Sequence, residues 1–281
     1  MSAKKSLGPL LFFSSEGLFV CSFTLAKLIS HQLPLGQLLW MRFAPALALI
    51  PFFWTQRLTF RVVNPRLMLL RSLLGVASIC CLFYSLKWGD FGRMNIIYAT
   101  GTLWAFFWAL FVLKERPHWV SLGSIPIALI GLLLIFEPTF EPLRLADMVA
   151  LVGSFLTAGV YVSLRELRKT HDSTTIVFCF FMTGLLISSA SFVVHPASIA
   201  FPGWTVIGLA ALTGVLGFAA QLLMTTGYRY CPVSVSSFIK LSSSVLMVGV
   251  GMWIFHDPFD LWRTIGMGMV MSGITLISVF Q

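Results

Sequence analysis

The chain has 281 residues, of which 58% are hydrophobic and 10% are charged. Soluble globular proteins carry about a quarter charged residues, so this composition excludes an ordinary water-soluble surface. The net charge of +9 does not indicate a nucleic-acid surface, because the Lys and Arg residues lie mostly in short gaps between apolar segments. The five cysteines form no CxxC pair, which argues against a disulfide framework or a zinc site.

Apolar runs long enough to cross a bilayer recur along the chain, and a helix needs roughly 20 such residues to do so. The run from Leu7 starts like a signal peptide but continues too far and lacks a small-residue cleavage site, so we keep it as the first transmembrane helix. The runs and their breakers predict ten transmembrane helices, at residues 7–28, 35–54, 67–87, 93–113, 119–136, 145–165, 174–194, 203–227, 232–255 and 262–280.

Basic residues in short loops set the orientation of a membrane protein, since such loops stay in the cytoplasm. The loops after helices 2, 4 and 6 share one side with the N-terminus, which carries Lys4 and Lys5. These loops hold Arg57, Arg61, Arg66, Lys114, Arg116, Arg165, Arg168 and Lys169. The opposite side has an acidic loop with Glu137, Glu141 and Asp147. We therefore expect a multi-pass protein of a bacterial inner membrane with both termini in the cytoplasm.

A weak internal repeat relates the two halves of the chain. One constant offset pairs Gly75 with Gly217 and Gly131 with Gly273. Each half has five predicted helices, an odd number, so the second half enters the membrane in the opposite sense. The fold class predicted is an all-α membrane protein of ten transmembrane helices in two inverted five-helix repeats, residues 1–138 and 139–281. Such repeats recur in secondary transporters, whose substrate site lies near the midplane, although chance similarity of apolar segments is the alternative.

Two segments of the chain are similar to a known family. Residues 98–131 read YATGTLWAFFWALFVLKERPHWVSLGSIPIALIG and resemble the fourth and fifth helices of an EamA-type domain. Residues 228–273 repeat that pattern more loosely, and the Trp-Met-Arg-Phe run at 40–43 resembles the start of helix 2 in the family. The resemblance implies the drug/metabolite transporter superfamily, whose members have ten helices and move small metabolites, amino acids, nucleotide-sugars or drugs.

Two ionisable residues lie deep within predicted spans, Glu16 in helix 1 and Lys240 in helix 9. A charge at the centre of a membrane helix costs about 2.5 to 3.5 kcal/mol on insertion scales, so each is a functional candidate. At 1.5 Å per residue both lie roughly 12 to 13 Å from the cytoplasmic ends of their helices. They can form a structural ion pair, or they can bind substrate, with Glu16 contacting an amine or carrying a proton and Lys240 contacting an anionic group.

Other polar and aromatic residues extend this candidate substrate site. Ser243 lies on the same helical face as Lys240, and the repeat partner of Lys240 is Tyr98. Trp104 and Trp108 are four residues apart and deep enough to hold a cation or a planar ring, although packing is the alternative. Gln221 can complete the site or serve interhelical hydrogen bonding.

Three further cations, Lys27, Arg42 and Arg71, lie closer to helix ends, where long side chains snorkel to water. For these residues we expect that arrangement. Glu115 and Asp257 are expected to cap or brace the helix turns that follow them.

The function predicted is a secondary transporter that moves a small polar or zwitterionic metabolite by alternating access. Its expected partners are that metabolite, the lipid bilayer and a coupling proton or counter-substrate, with no nucleic acid, metal or cofactor. The chain has no GxxxxGK[ST], HExxH or GxSxG motif. An intramembrane enzyme, a channel and a lipid scramblase are the alternatives. The buried acid, base and aromatics favour an amino acid or a compound like S-adenosylmethionine, which some members of the resembled family import.

Overall fold

The computed structural model describes residues 2–45, 47, 62–89, 91–115, 119–136, 144–194, 200–254 and 261–279. Several features of the sequence interpretation lie outside these residues: the end of predicted helix 2 after residue 47, and Arg57, Arg61, Arg116, Glu137, Glu141 and Asp257.

The described residues fold into α-helices joined by short connections. The helices are α1 (Ser2–Ile29), α2 (Leu35–Phe43), α3 (Pro65–Trp88), α4 (Phe91–Phe111), α5 (Trp119–Phe136), α6 (Leu145–Leu167), α7 (Ser173–Val194), α8 (Trp204–Gly227), α9 (Val233–Ile239), α10 (Ser242–Ile254) and α11 (Leu261–Val279). Most bounds agree with the predicted spans within a few residues, because long apolar runs bounded by polar turns define membrane helices directly. The prediction of an all-helical membrane protein is confirmed.

Five of these helices are long and apolar enough to cross a bilayer by themselves: Leu7–Ile29, Pro65–Trp88, Leu145–Leu167, Ser173–Val193 and Trp204–Gly227. Two of these helices begin at recognisable capping residues. Asn64 caps α3 by accepting a hydrogen bond from the amide of Leu67 at 3.1 Å, and Pro65 occupies the first helical position, where its missing N–H is no loss. Gly203 precedes α8 with a φ of 107°, a conformation that favours glycine.

One predicted helix differs from its expectation. The span predicted at 232–255 is two helices, α9 and α10, separated at Lys240 and Leu241. Hydrogen bonds spanning three residues replace the α-helical pattern there, since the amide of Leu241 donates to the carbonyl of Phe238 and the amide of Ser243 to that of Lys240. A break therefore occurs beside the only lysine of this span.

The helices pack in crossed pairs between the two halves of the chain. Helix α1 lies against α8, and α3 lies against α6; α2 pairs with α7, and α5 with α11. Helix α4 contacts both α6 and α9, while α1 contacts α10. These contacts surround a central space that is reached by side chains from both halves.

Candidate functional site

A cavity of about 160 Å³ lies in the centre of the helical bundle. Side chains from α1, α3, α4, α6, α7, α8 and the broken helix line it. Its polar lining includes Glu16, Arg71, Tyr98, Gln221, Lys240 and Ser243. The cavity thus combines acidic and basic groups with hydroxyl and amide groups, in a chain of which 58% of the residues are hydrophobic.

The break between α9 and α10 supplies the cavity with exposed helix ends. The amide of Leu241 donates to the carbonyl of Phe238, so the carbonyl of Ser237 lacks its α-helical partner. The hydroxyl of Thr102 on α4 donates to this carbonyl instead, at 3.2 Å. Lys240 follows the carboxyl end of α9, and Glu16 lies near Ser243 at the amino end of α10. A cation at a carboxyl end and an anion at an amino end both interact favourably with the helix dipoles.

Glu16 and Lys240 form an ion pair in the lining of the cavity. The Lys240 Nζ lies 3.5 Å from Oε1 of Glu16, and both side chains are buried. At an effective dielectric constant of about 20, unit charges at this distance attract by about 5 kcal/mol. Removing each ion from water costs several kcal/mol, so the two contributions nearly cancel and the pair is weak evidence for a stabilising role.

Aromatic rings surround the ammonium group of Lys240. Its Nζ lies 3.9 Å from the ring centroid of Tyr161, 5.9 Å from that of Tyr228 and 5.7 Å from that of Phe12. The Sδ of Met224 is 2.8 Å from the same Nζ. Ring faces carry partial negative charge and stabilise a cation within about 6 Å, so this environment supports a charged lysine in addition to Glu16. The sequence interpretation did not single out these four residues, since no motif marks them.

Five of the seven predicted site residues line the cavity: Glu16, Tyr98, Gln221, Lys240 and Ser243. The hydroxyl of Tyr98 donates to the carbonyl of Ser78 at 3.3 Å, and its ring is close to Gly153, where a Cβ atom would lie 2.1 Å from the hydroxyl oxygen. The structure brings these residues together.

Trp104 and Trp108 do not line the cavity with the other predicted residues. Both rings pack edge-on against Phe155 of α6, with centroid distances of 5.6 and 5.5 Å, and Trp104 is 39% exposed. Their position fits the packing alternative, because the face of α4 that carries them packs against α6 and not against the cavity.

The prediction that Arg42 and Arg71 snorkel to water is wrong. Both side chains are fully buried, with exposures of 1% and 0%. The Nη1 of Arg42 donates to the carbonyl of Thr213 at 3.3 Å, and Arg71 packs on the ring of Phe180 at the cavity wall. Lys27 is half-buried, and its Nζ donates to the carbonyls of Leu86 and Gly89 at the end of α3, at 2.7 and 3.1 Å.

The sequence predicts that Glu115 caps or braces the turn that follows it, but in the structure Glu115 caps a helix of the other half of the chain. Its carboxylate accepts hydrogen bonds from the amides of Val233 and Ser234, at 3.1 and 2.9 Å, and so caps α9. Arg165 approaches the same carboxylate at 3.9 Å. Because α9 carries Lys240 at its end, Glu115 helps to fix the cation of the site from about 10 Å away along the helix.

Comparison with known proteins identifies the class that these features define, a polytopic membrane transporter. The EamA-like transporter family matches residues 6–137 and 144–279. The chain belongs to the EamA-like transporter family.

Individual relatives agree with this class. The chain is similar to an uncharacterized transporter of Helicobacter pylori, with 22% identity over 80% of this chain and 74% of that protein. It is also similar to the pseudopaline exporter CntI of Pseudomonas aeruginosa, with 23% identity over 97% of this chain and 93% of the exporter. A solved crystal structure superposes with a TM-score of 0.76 and 14% identity, covering 98% of this chain and 99% of the other, and shows a shared fold.

Proposed function

We propose that the protein is a secondary transporter that works by alternating access, with ten transmembrane helices in two inverted repeats, residues 1–138 and 139–281. The pattern of helix contacts supports the repeats. The pair α1 with α8 becomes α6 with α3 when the halves are exchanged, and α2 with α7 and α5 with α11 are each exchanged into themselves. The central cavity then lies on the pseudo-twofold axis, where repeat transporters hold their solute.

In this proposal the protein lies in a bacterial inner membrane, with both termini on the cytoplasmic side. The loop between α6 and α7 carries Arg168 and Lys169, whereas the opposite side has an acidic loop. The positive-inside rule assigns the basic side to the cytoplasm.

The solute is a small polar or zwitterionic metabolite that binds between Glu16 and Lys240. One observation carries this proposal: an acid and a base are buried 3.5 Å apart at a helix break in a polar central cavity. Ionisable groups inside a membrane protein mark substrate and proton pathways by default. A solute with an amine and an anionic group can replace each residue as the partner of the other. A coupling proton on Glu16 or a counter-substrate supplies the driving force.

Uptake by the purified protein in liposomes tests this function. A panel of amino acids, nucleosides, S-adenosylmethionine and, because of the named relative, pseudopaline covers the solute classes. A carrier gives saturable uptake of one solute class, and excess unlabelled solute of that class reduces the uptake of the labelled solute. Unsaturable conductance indicates a channel, exchange of labelled lipid between leaflets indicates a scramblase, and a chemically altered solute indicates an enzyme; each of these results would contradict the proposal.

A further inference from the structure

Arg71 is a buried cation at the wall of the central cavity that no protein group neutralises among the described residues. It lies on α3, roughly 9 Å from the amino end of that helix at 1.5 Å per residue. Its guanidinium carbon is 4.1 Å from the ring centroid of Phe180 on α7. Within the described part of the chain, none of its Nε, Nη1 and Nη2 atoms has a hydrogen-bond partner.

Such an arrangement is unfavourable without a ligand. A buried polar group that lacks a hydrogen bond is destabilising, and a guanidinium carries five donors. The ring of Phe180 offers a cation–π contact but accepts none of these donors in the plane of the guanidinium.

Arg42 provides an internal comparison for this residue. It is buried to the same extent, yet its Nη1 donates to the carbonyls of Thr213 and Gly214, at 3.3 and 3.5 Å, and it does not line the cavity. Arg42 therefore has protein carbonyls as partners for one nitrogen, between α2 and α8, although its Nε and Nη2 have none among the described residues. Arg71 is the buried arginine that faces the cavity without such partners in the described chain.

The charges around the cavity give the same indication. Glu16, Arg71 and Lys240 are the acidic and basic side chains among its described lining. Glu16 already faces Lys240 at 3.5 Å, which leaves the charge of Arg71 in excess. An anion in the cavity would restore neutrality in a region where water and counter-ions are scarce.

We infer that Arg71 binds a carboxylate of the transported solute, so that the solutes of this protein are carboxylate-bearing metabolites. The inference rests on the proposed transport function and narrows its substrate class. A planar guanidinium matches a carboxylate with two parallel hydrogen bonds, whereas a lysine supplies only a point charge.

Gly75 makes room for this role one turn along α3. A Cβ atom at that position would lie 3.0 Å from Nη1 of Arg71 and 2.8 Å from Cε2 of Phe180. The guanidinium thus rests in the space that glycine leaves, against the ring. Because Arg71 lines the cavity in this position, a carboxylate of the solute in the cavity can accept its hydrogen bonds.

The test uses acetate as a small carboxylate probe and acetamide as its neutral isostere. The thermal unfolding of purified full-length protein in lipid nanodiscs is measured with each, against chloride at equal ionic strength. Acetate should raise the unfolding temperature of the wild type and acetamide should not. Arg71→Gln should weaken acetate binding roughly tenfold to a hundredfold, since two charge-assisted hydrogen bonds are lost.

A matched pair of lysine variants separates binding from structure. Arg71→Lys keeps the charge but removes the bidentate geometry, so acetate binding should weaken in this variant. Because the charge is kept, this variant also tests the inference if Arg71→Gln does not fold. Arg42→Lys makes the same change at the buried arginine outside the cavity and should leave acetate binding at the wild-type level. Equal acetate binding in Arg71→Lys and wild type, or no acetate effect beyond chloride in the wild type, would overturn the inference.

The outcome is distinguishable from failure of the proposed function. Saturable uptake of a solute that lacks a carboxylate, with no acetate binding, would leave a transporter and remove the role of Arg71. Arg71-dependent acetate binding without any saturable uptake would keep the anion site and contradict transport.

Discussion

Apolar substitutions of Glu16 and Lys240 show whether this ion pair only stabilises the fold or also binds the solute. Removing one partner strands a buried charge and should lower the free energy of unfolding by about 3 to 5 kcal/mol. The lost attraction at 3.5 Å, about 5 kcal/mol at an effective dielectric constant of about 20, agrees with that range. We expect Glu16→Leu and Lys240→Met, each alone, to be destabilised to this extent.

The double variant should regain most of that stability. Met at position 240 retains the length of lysine and packs among the rings of Phe12, Tyr161 and Tyr228, which already surround the side chain. Replacement of a buried ion pair by apolar groups of similar volume is often neutral or stabilising by about 1 to 4 kcal/mol. Unfolding of the purified variants in nanodiscs measures the stability, and solute uptake into liposomes measures function on the same preparations.

Solute binding and bracing give opposite results in this variant. If the pair contacts the solute, a stable double variant stays inactive, because apolar side chains cannot replace the lost ionic contacts. Recovery of wild-type uptake and affinity together with stability would refute the site and leave a brace between α1 and the broken helix.

Two further predictions rest on single contacts, and a third rests on the charge of the loops. Gly217→Ala should lower the free energy of unfolding by about 1 to 3 kcal/mol, since its Cβ would lie 1.0 Å from Nη1 of Arg42 and would displace the buried guanidinium; Gly208→Ala on the same helix, with nothing within 4 Å, is the control, and equal unfolding temperatures would contradict the packing. Glu115→Ala should lower the free energy of unfolding by about 1 to 3 kcal/mol because two amides of α9 lose their cap, which chemical unfolding measures; an unchanged value would argue against the cap. A reporter fused after Lys169 should show the cytoplasm, and a signal from the opposite side would contradict the proposed orientation.

The helices and the charged pair could be predicted from the sequence because each depends on local information. Apolar runs define where helices lie, and equal depth in the membrane was sufficient to suggest that Glu16 and Lys240 meet. The break at Lys240 and Leu241 could not be predicted in this way. Neither residue is a proline or glycine, and the surrounding serines fit a continuous helix as well as two short ones.

The direction of individual side chains required tertiary information. Arg71 lies near a helix end in the sequence, but Phe180 of α7 covers it, and no pattern in α3 indicates that neighbour. Trp104 and Trp108 share a face of α4, yet the sequence does not show which face points to the cavity. Glu115 was expected to brace a turn, but only the packing of the two halves shows that the turn belongs to α9.

Accessibility of the cavity during transport is the most direct test of the account. Ser243→Cys, in a background in which the five native cysteines are replaced, places a thiol at the cavity, and Thr170→Cys places one in the loop after α6 as a control. Thiol reagents added from either side of the membrane should label Cys at position 243, and the transported solute should protect it but not position 170. Saturable transport with no protection of position 243 by its own solute would contradict the central claim that this cavity is the solute site.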